Sequence, residues 1–330
     1  MLRTAVIGVG HLGRQHARIH ATLAAEGRTQ FVSVCDLIEE TARSIAAERQ
    51  TEWTTDWRAL IGSVDAVSLA VPTQSHCEIA CGLLEQGIHV LVEKPISRTL
   101  AEADRMIAAA QKSGALLQVG HLERFNPALI ALKPYVRDPV YFEIHRVGEF
   151  TARSLDIDVV LDLMIHDLDI VQWLVGNDVE VTSLHAVGIP ILTDRVDAAN
   201  ARLEFASGAV ANITASRVGT ERIRKMRFFQ PRDYVAVDYA AKRASISSLA
   251  PPAADGGWPG VHVRNLDVID VEPLRAETEA FVQAAVVNSP SPVSGSEGRR
   301  ALALALRALQ RIEEHATHPG VVALSKSMES

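Results

Sequence analysis

Apolar residues recur along the first 120 positions in two alternating rhythms. Short runs rich in aliphatic and β-branched residues, Thr4–Gly8, Gln30–Cys35, Ala66–Ala70, His89–Val92 and Leu116–Val119, read as strands. Between them, Gly13–Glu26, Glu39–Glu48, Ser75–Gln86 and Leu100–Ser113 place their apolar positions at helical spacing. This alternation predicts a doubly wound parallel sheet, with the loops that follow the strands gathered on one edge, where ligands bind.

After residue 121 the rhythm changes. A helical stretch, Val159–Val175, precedes a run of longer strands: Val179–Gly188, Asp197–Phe205, Ala209–Val218, Lys225–Gln230 and Tyr234–Tyr239. Ser207-Gly208 reads as a hairpin turn between two of them. Pro251–Gly260 reads as a loop, and two helices, Leu274–Val287 and Ser296–His315, close the pattern. The expected class is α/β. Residues 1–121 would form a Rossmann-type parallel sheet, and residues 122–330 an α+β substrate-binding and oligomerisation domain on a mostly antiparallel sheet.

Composition narrows the function classes. The 330 residues suit two domains, and the net charge of −7 argues against nucleic acid or an anionic membrane as a general partner. The chain enters an apolar strand at once, and no apolar run approaches the roughly 18 residues needed to span a bilayer. The expectation is a cytoplasmic protein. Three cysteines, Cys35, Cys77 and Cys81, fit a reducing compartment. Cys77 and Cys81 share a helix face with no second ligand pair nearby, so they read as small buried hydrophobes and no metal site is expected.

Gly8-Val9-Gly10-His11-Leu12-Gly13 directly follows a strand and opens a helix. Gly8 permits the tight turn, Gly10 lets the backbone approach a pyrophosphate, and Gly13 allows close helix–strand packing. The helix N-terminus supplies N–H groups and a positive dipole end. Asp36 ends the second strand 23 residues past Gly13, where a carboxylate accepts bonds from ribose hydroxyls and repels a 2′-phosphate. NAD is therefore the expected cofactor.

Val71-Pro72-Thr73-Gln74-Ser75-His76 and Glu93-Lys94-Pro95 each follow a strand on the same edge. In isolation, a lysine before proline reads as a solvated loop residue. In the second domain, Asp162, His166 and Asp169 fall on one narrow face of an otherwise apolar helix at 100° per residue. A lone histidine there reads more readily as a core residue. Asp162, one turn earlier, offers a carboxylate to orient the ring and raise its basicity.

In order and spacing these motifs resemble the glucose–fructose oxidoreductase/inositol dehydrogenase (Gfo/Idh/MocA) superfamily over essentially the whole chain. The resemblance implies that Lys94 lies beside the nicotinamide and that Asp162 and His166 are the family's Asp-x-x-x-His pair. Met164 departs from the glycine usual two residues before that histidine. By the same resemblance, Pro72, Thr73, His76, Glu93 and Lys94 belong with Gly8, Gly10, His11, Leu12, Gly13 and Asp36 at the cofactor. Oxidising a secondary alcohol needs a base, an orienting group and positive charge near the developing alkoxide. His166, Asp162 and Lys94 fill these roles, and those of His166 and Lys94 can be exchanged.

Gly120–Pro127, containing His121, Arg124 and Asn126, reads either as an interdomain crossover or as a polyol-binding stretch. It resembles the branch of the family that oxidises nucleotide sugars, UDP-N-acetylglucosamine 3-dehydrogenases among them. So does the segment from Arg217 to Arg232, with six basic residues against one acidic residue, Glu221. Such clustering suits a pyrophosphate, and suits a solvated strand face or subunit contact equally. Arg153, Asp169 and Arg227 are further substrate candidates. A homo-oligomer formed through the flat sheet face, and a downstream aminotransferase, follow from the resemblance alone. The rivals are an inositol or other free-sugar dehydrogenase and a non-catalytic nucleotide-binding regulator.

Overall fold

The computed structural model describes residues 1–150, 157–250 and 259–318. The chain forms two compact units: Met1–Phe125 with Val271–Leu302, and Asn126–Asp270 with Ala303–Ser330. A boundary after residue 121 accounts for the first of these segments and not for the return at Val271. No helix among the described residues is long and apolar enough to cross a membrane.

In the first unit the elements run β1 (Leu2–Ile7), α1 (His11–Ala25), β2 (Thr29–Cys35), α2 (Glu39–Arg49), β3 (Glu52–Thr54), β4 (Ala66–Leu69), α3 (His76–Leu84), β5 (His89–Glu93), α4 (Leu100–Ser113) and β6 (Leu117–Gly120). The strands form one parallel sheet in the order β3-β2-β1-β4-β5-β6, doubly wound about β1 and β4. Val6 and Val34 pack with Ala17 of α1 and Ile45 of α2. On α4, Thr99 and Glu102 form a reciprocal capping box, and Gly114 ends the helix in the left-handed region.

The second unit holds α5 (Pro127–Leu132), β7 (Tyr141–Glu149), α6 (Ile165–Val175), β8 (Val181–Ile189), β9 (Ala198–Phe205), β10 (Val210–Gly219), β11 (Ile223–Gln230), β12 (Asp233–Asp238), β13 (Arg243–Leu249) and β14 (Val261–Asn265). Its sheet has the order β14-β13-β12-β11-β7-β10-β9-β8. β7, which the patterning did not reveal, lies between β10 and β11, parallel to one and antiparallel to the other. The expected β9–β10 hairpin forms, with Gly208 at a φ of 86°. Alternation along β10 buries Ala211, Ile213 and Ala215. The small Ala211 and Ala215 leave room for α6 and the turn before it to pack against that face.

Two further helices follow, α7 (Pro273–Val287) and α8 (Gly295–Ala316). α7 covers the first unit's sheet. Leu274 and Val282 meet Ile19 and Leu23 of α1, and Phe281 packs on Ala66 and Leu91.

Candidate functional site

In the first unit, the chemistry collects where β1, β2, β4 and β5 end. Gly8 has a φ of 80°, and a Cβ there would lie 2.6 Å from the Ala70 carbonyl oxygen. At Gly13 a Cβ would lie 1.7 Å from the Gly8 carbonyl oxygen, so the helix start and the strand end touch through bare backbone. At Gly10 a Cβ would meet nothing within 4 Å. That open space above a helix N-terminus is the shape a pyrophosphate requires. His11 and Leu12 beside it are exposed.

Asp36 braces the loop. Its Oδ2 accepts the Val9 N–H at 2.9 Å, and its Oδ1 accepts the Ile38 N–H at 3.0 Å. It remains half-exposed, with Leu37 fully outside. The residues fit a dinucleotide with an unphosphorylated ribose. These glycines separate two effects. Gly13→Ala is expected to destabilise the first unit by about 1–3 kcal/mol or more and to abolish NADH binding, because the backbone must move. Gly10→Ala, with φ at −65°, should leave the melting temperature unchanged and weaken only NADH binding. Thermal melts with fluorescence titration check both.

Pro72 and Thr73 form a short turn after β4, and Lys94 stands half-buried after β5. His76 differs from expectation. Its ring is buried, with Nε2 2.9 Å from the Val71 carbonyl and Nδ1 3.1 Å from the Pro95 carbonyl. Burial lowers its pKa, and a neutral ring donates to one of these two carbonyls at a time. His76 is packed beneath the two loops, closed off from solvent. Glu93 is likewise turned inward. Its Oε1 lies 2.8 Å from His16 Nε2, and its Oε2 accepts the Lys94 backbone N–H at 3.2 Å.

Two expected sugar ligands have partners within the framework. Arg124 is buried and paired at 2.5 Å with Glu297, at the start of α8. Burial opposes the Glu297 charge, but Arg124 and Ser294 outweigh it and hold the carboxyl at about 2. Asn126 caps α5 through the Ala128 N–H at 3.1 Å and donates to the Tyr239 carbonyl at 3.1 Å. His121 is buried. Arg153 lies outside the described residues.

In the second unit the helix expected from Val159 to Val175 is divided. Val160–Met164 is a turn of π-helix, and α6 begins at Ile165. Asp162 sits in the π turn and His166 in the first turn of α6, both half-buried, while Asp169 is buried. Single π turns cluster at functional sites because they re-aim side chains locally. The sequence pattern missed what holds this helix. Asp167 is fully buried and receives Arg146 of β7 in a bidentate pair, Nε to Oδ2 at 2.7 Å and Nη2 to Oδ1 at 2.8 Å. Tyr239 lies 5.4 Å from that guanidinium.

The basic stretch is also divided. Arg217 is buried and pairs with Asp197 at 3.3 Å. Arg227 is exposed, paired in register with Glu143 on the face away from buried Met226 and Phe228. Asp167 and α6 lie on the other face, so Arg227 is not a ligand beside His166. Arg224, in register with Arg146, lies on the helix-covered face together with the buried Arg217.

Comparison with known proteins gives these features a family. Residues 2–121 match the model of the oxidoreductase family with an NAD-binding Rossmann fold, and residues 136–229 match the GFO/IDH/MocA C-terminal domain. A UDP-N-acetylglucosamine 3-dehydrogenase from Acidithiobacillus ferrooxidans is 38% identical over 94% of this chain and 97% of its own. A solved structure of that enzyme superposes with a TM-score of 0.88, covering 95% of this chain and 98% of its own. A myo-inositol 2-dehydrogenase from Thermotoga maritima is 27% identical over 95% of this chain and 97% of its own. Levoglucosan dehydrogenase in complex with NADH and levoglucosan, at 19% identity and a TM-score of 0.82, shares the fold. The chain therefore belongs to the GFO/IDH/MocA oxidoreductases and is an NAD-dependent dehydrogenase.

Proposed function

We propose that this dehydrogenase oxidises a secondary hydroxyl of a nucleotide sugar, the C3 hydroxyl of UDP-N-acetylglucosamine, to the 3-keto sugar. Full-length similarity at 38% identity to an enzyme of that name carries the reading. In this reading Asp162, in the π turn, and His166, in the first turn of α6, supply the acid–base pair. When bound, NAD⁺ supplies the hydride acceptor. His166 takes the hydroxyl proton, Asp162 holds the imidazole in the receptive orientation, and Lys94 donates to the oxygen as negative charge develops there. With Lys94 and His166 exchanged, the same parts perform the same reaction. Arg224 is the candidate for the pyrophosphate.

The inositol relative favours a second reading, in which a free polyol occupies the site. Following NADH absorbance across UDP-sugars and free sugars separates the two. Each charge-assisted bond to a pyrophosphate adds about 1.5–3 kcal/mol, so UDP-N-acetylglucosamine should exceed N-acetylglucosamine in kcat/KM by at least about tenfold. Equal turnover of the free sugar would reject the nucleotide-sugar assignment. The three cysteines are buried and free, which supports a reducing, cytoplasmic setting. A homo-oligomer built on the open sheet face, and an aminotransferase that consumes the keto product, complete the proposal.

A further inference from the structure

Behind the lysine loop, on the α1 and α7 side of the first unit's sheet, lies a cluster of buried polar groups that the reaction above leaves unused. Glu277 of α7 is fully buried, and among the described residues neither of its carboxyl oxygens has a hydrogen-bond partner. Its position is fixed from two sides. Gln118 of β6 donates to the Glu277 backbone carbonyl at 3.4 Å, and Phe281, one turn further along α7, packs on Leu91 of β5. Glu93 lies two residues beyond Leu91 on the same strand face. It is in register with Gly120, where a Cβ would meet the Glu93 carboxylate at 3.1 Å. Glu277 thus stands over the strand end that carries Glu93, whose own oxygens are held by His16 and by the Lys94 N–H.

Water is missing from such a place, so an unpartnered carboxylate is strongly disfavoured there against the neutral acid. Burial first, and the charge of Glu93 second, push the Glu277 carboxyl well above its ordinary value. Glu93 of β5 acts on Glu277 through its charge, and the elements packed against α7 carry the other titratable groups: His16 and His20 on α1, and Glu123 and Arg124 in the Leu122–Phe125 turn that His121 precedes. None of these hydrogen-bonds the Glu277 carboxyl. Lys94 follows Glu93 in the chain and shares its loop.

We propose that Glu277 is a proton-holding residue linked through Glu93 to the dinucleotide site: it keeps its proton when NADH is bound and loosens it when NAD⁺ is bound. Glu93 ends β5 on the sheet edge where dinucleotides bind, and the oxidised cofactor brings there one positive charge that the reduced one lacks. A cation at that edge favours negative charge on the pair. The proton lost by Glu277 passes to solvent, where the buffer takes it up. The proposal rests on dinucleotide binding and is independent of which sugar is oxidised.

Calorimetric titration of NAD⁺ and NADH, each in two buffers of different ionisation heat near pH ~7.5, reads the linkage directly. The unaltered chain should release more protons with NAD⁺ than with NADH, by a fraction of a proton, and Glu277→Gln should abolish that difference. Equal release with the two cofactors, or an unchanged difference in the variant, overturns the proposal. Stability provides a second readout. Below about pH 4.5 folded and unfolded chains both hold the proton; above it only the folded chain does, so Glu277 increasingly disfavours folding as pH rises. Glu277→Gln lacks that burden, so its melting temperature should exceed the parent's by a gap that widens from about pH 5 to about pH 8. A gap constant with pH overturns the proposal. Should the variant not fold, the infrared band of a protonated carboxyl in the unaltered chain near pH ~7.5 carries the test, and its absence overturns it.

Discussion

Replacing His166 by Asn is expected to lower kcat by about two to four orders of magnitude, the contribution typical of a positioned general base. The amide keeps a similar shape at the start of α6 but takes no proton. NAD⁺ affinity should change little, because the glycine loop and Asp36 belong to the other unit. A stopped-flow trace of NADH formation, with NAD⁺ binding measured separately, checks both parts. The pH profile assigns the roles: the acid limb of kcat/KM disappears in whichever variant, at His166 or at Lys94, removes the base. Unchanged turnover in His166→Asn would exclude His166 from the chemistry.

The second large effect is on stability. Arg146→Met takes the bidentate guanidinium away from Asp167 in a fully buried position, and removing one partner of a buried pair typically destabilises by about 3–5 kcal/mol. Urea unfolding near neutral pH should report that loss. Replacing both partners, Arg146→Met with Asp167→Leu, should recover much of it, because the double change leaves no stranded charge. Asp167 adjoins His166 in the chain, so the single variant should also lose kcat through misplacement of the imidazole, with NADH affinity retained. A double variant as unstable as the single one would mean that the pair is irreplaceable packing and not charge compensation.

What could be read from the chain and what could not divide along physical lines. The parallel sheet announced itself because each of its strands is a short apolar run that a helix of regular period follows. Only β3 escaped, three residues long with two of them exposed. The glycine loop and Asp36 were legible because their spacing is local and each glycine answers a steric demand within a few residues. β7 was hidden by Arg146, a charge at a position where alternation calls for an apolar residue; Asp167, 21 positions away, explains it. Arg124 and Asn126 looked like ligands because polar residues in a connecting segment usually face solvent. Here Glu297 and the Tyr239 carbonyl take them up, from partners 173 and 113 positions away. The π turn has no periodic signature in so apolar a stretch. The His16–Glu93 contact spans 77 positions, and no local pattern announces it.

The route of the chain also bears on its biosynthesis. Ile19 and Leu23 of α1, and Ala66 and Leu91 of the sheet, are covered by α7, which leaves the ribosome more than half a chain later. Until then the nucleotide-binding half presents a greasy flank to its surroundings, and its assembly is post-translational in effect even though its strands are made first. A fragment cut where the glycine-loop domain ends in sequence would carry that bare flank permanently.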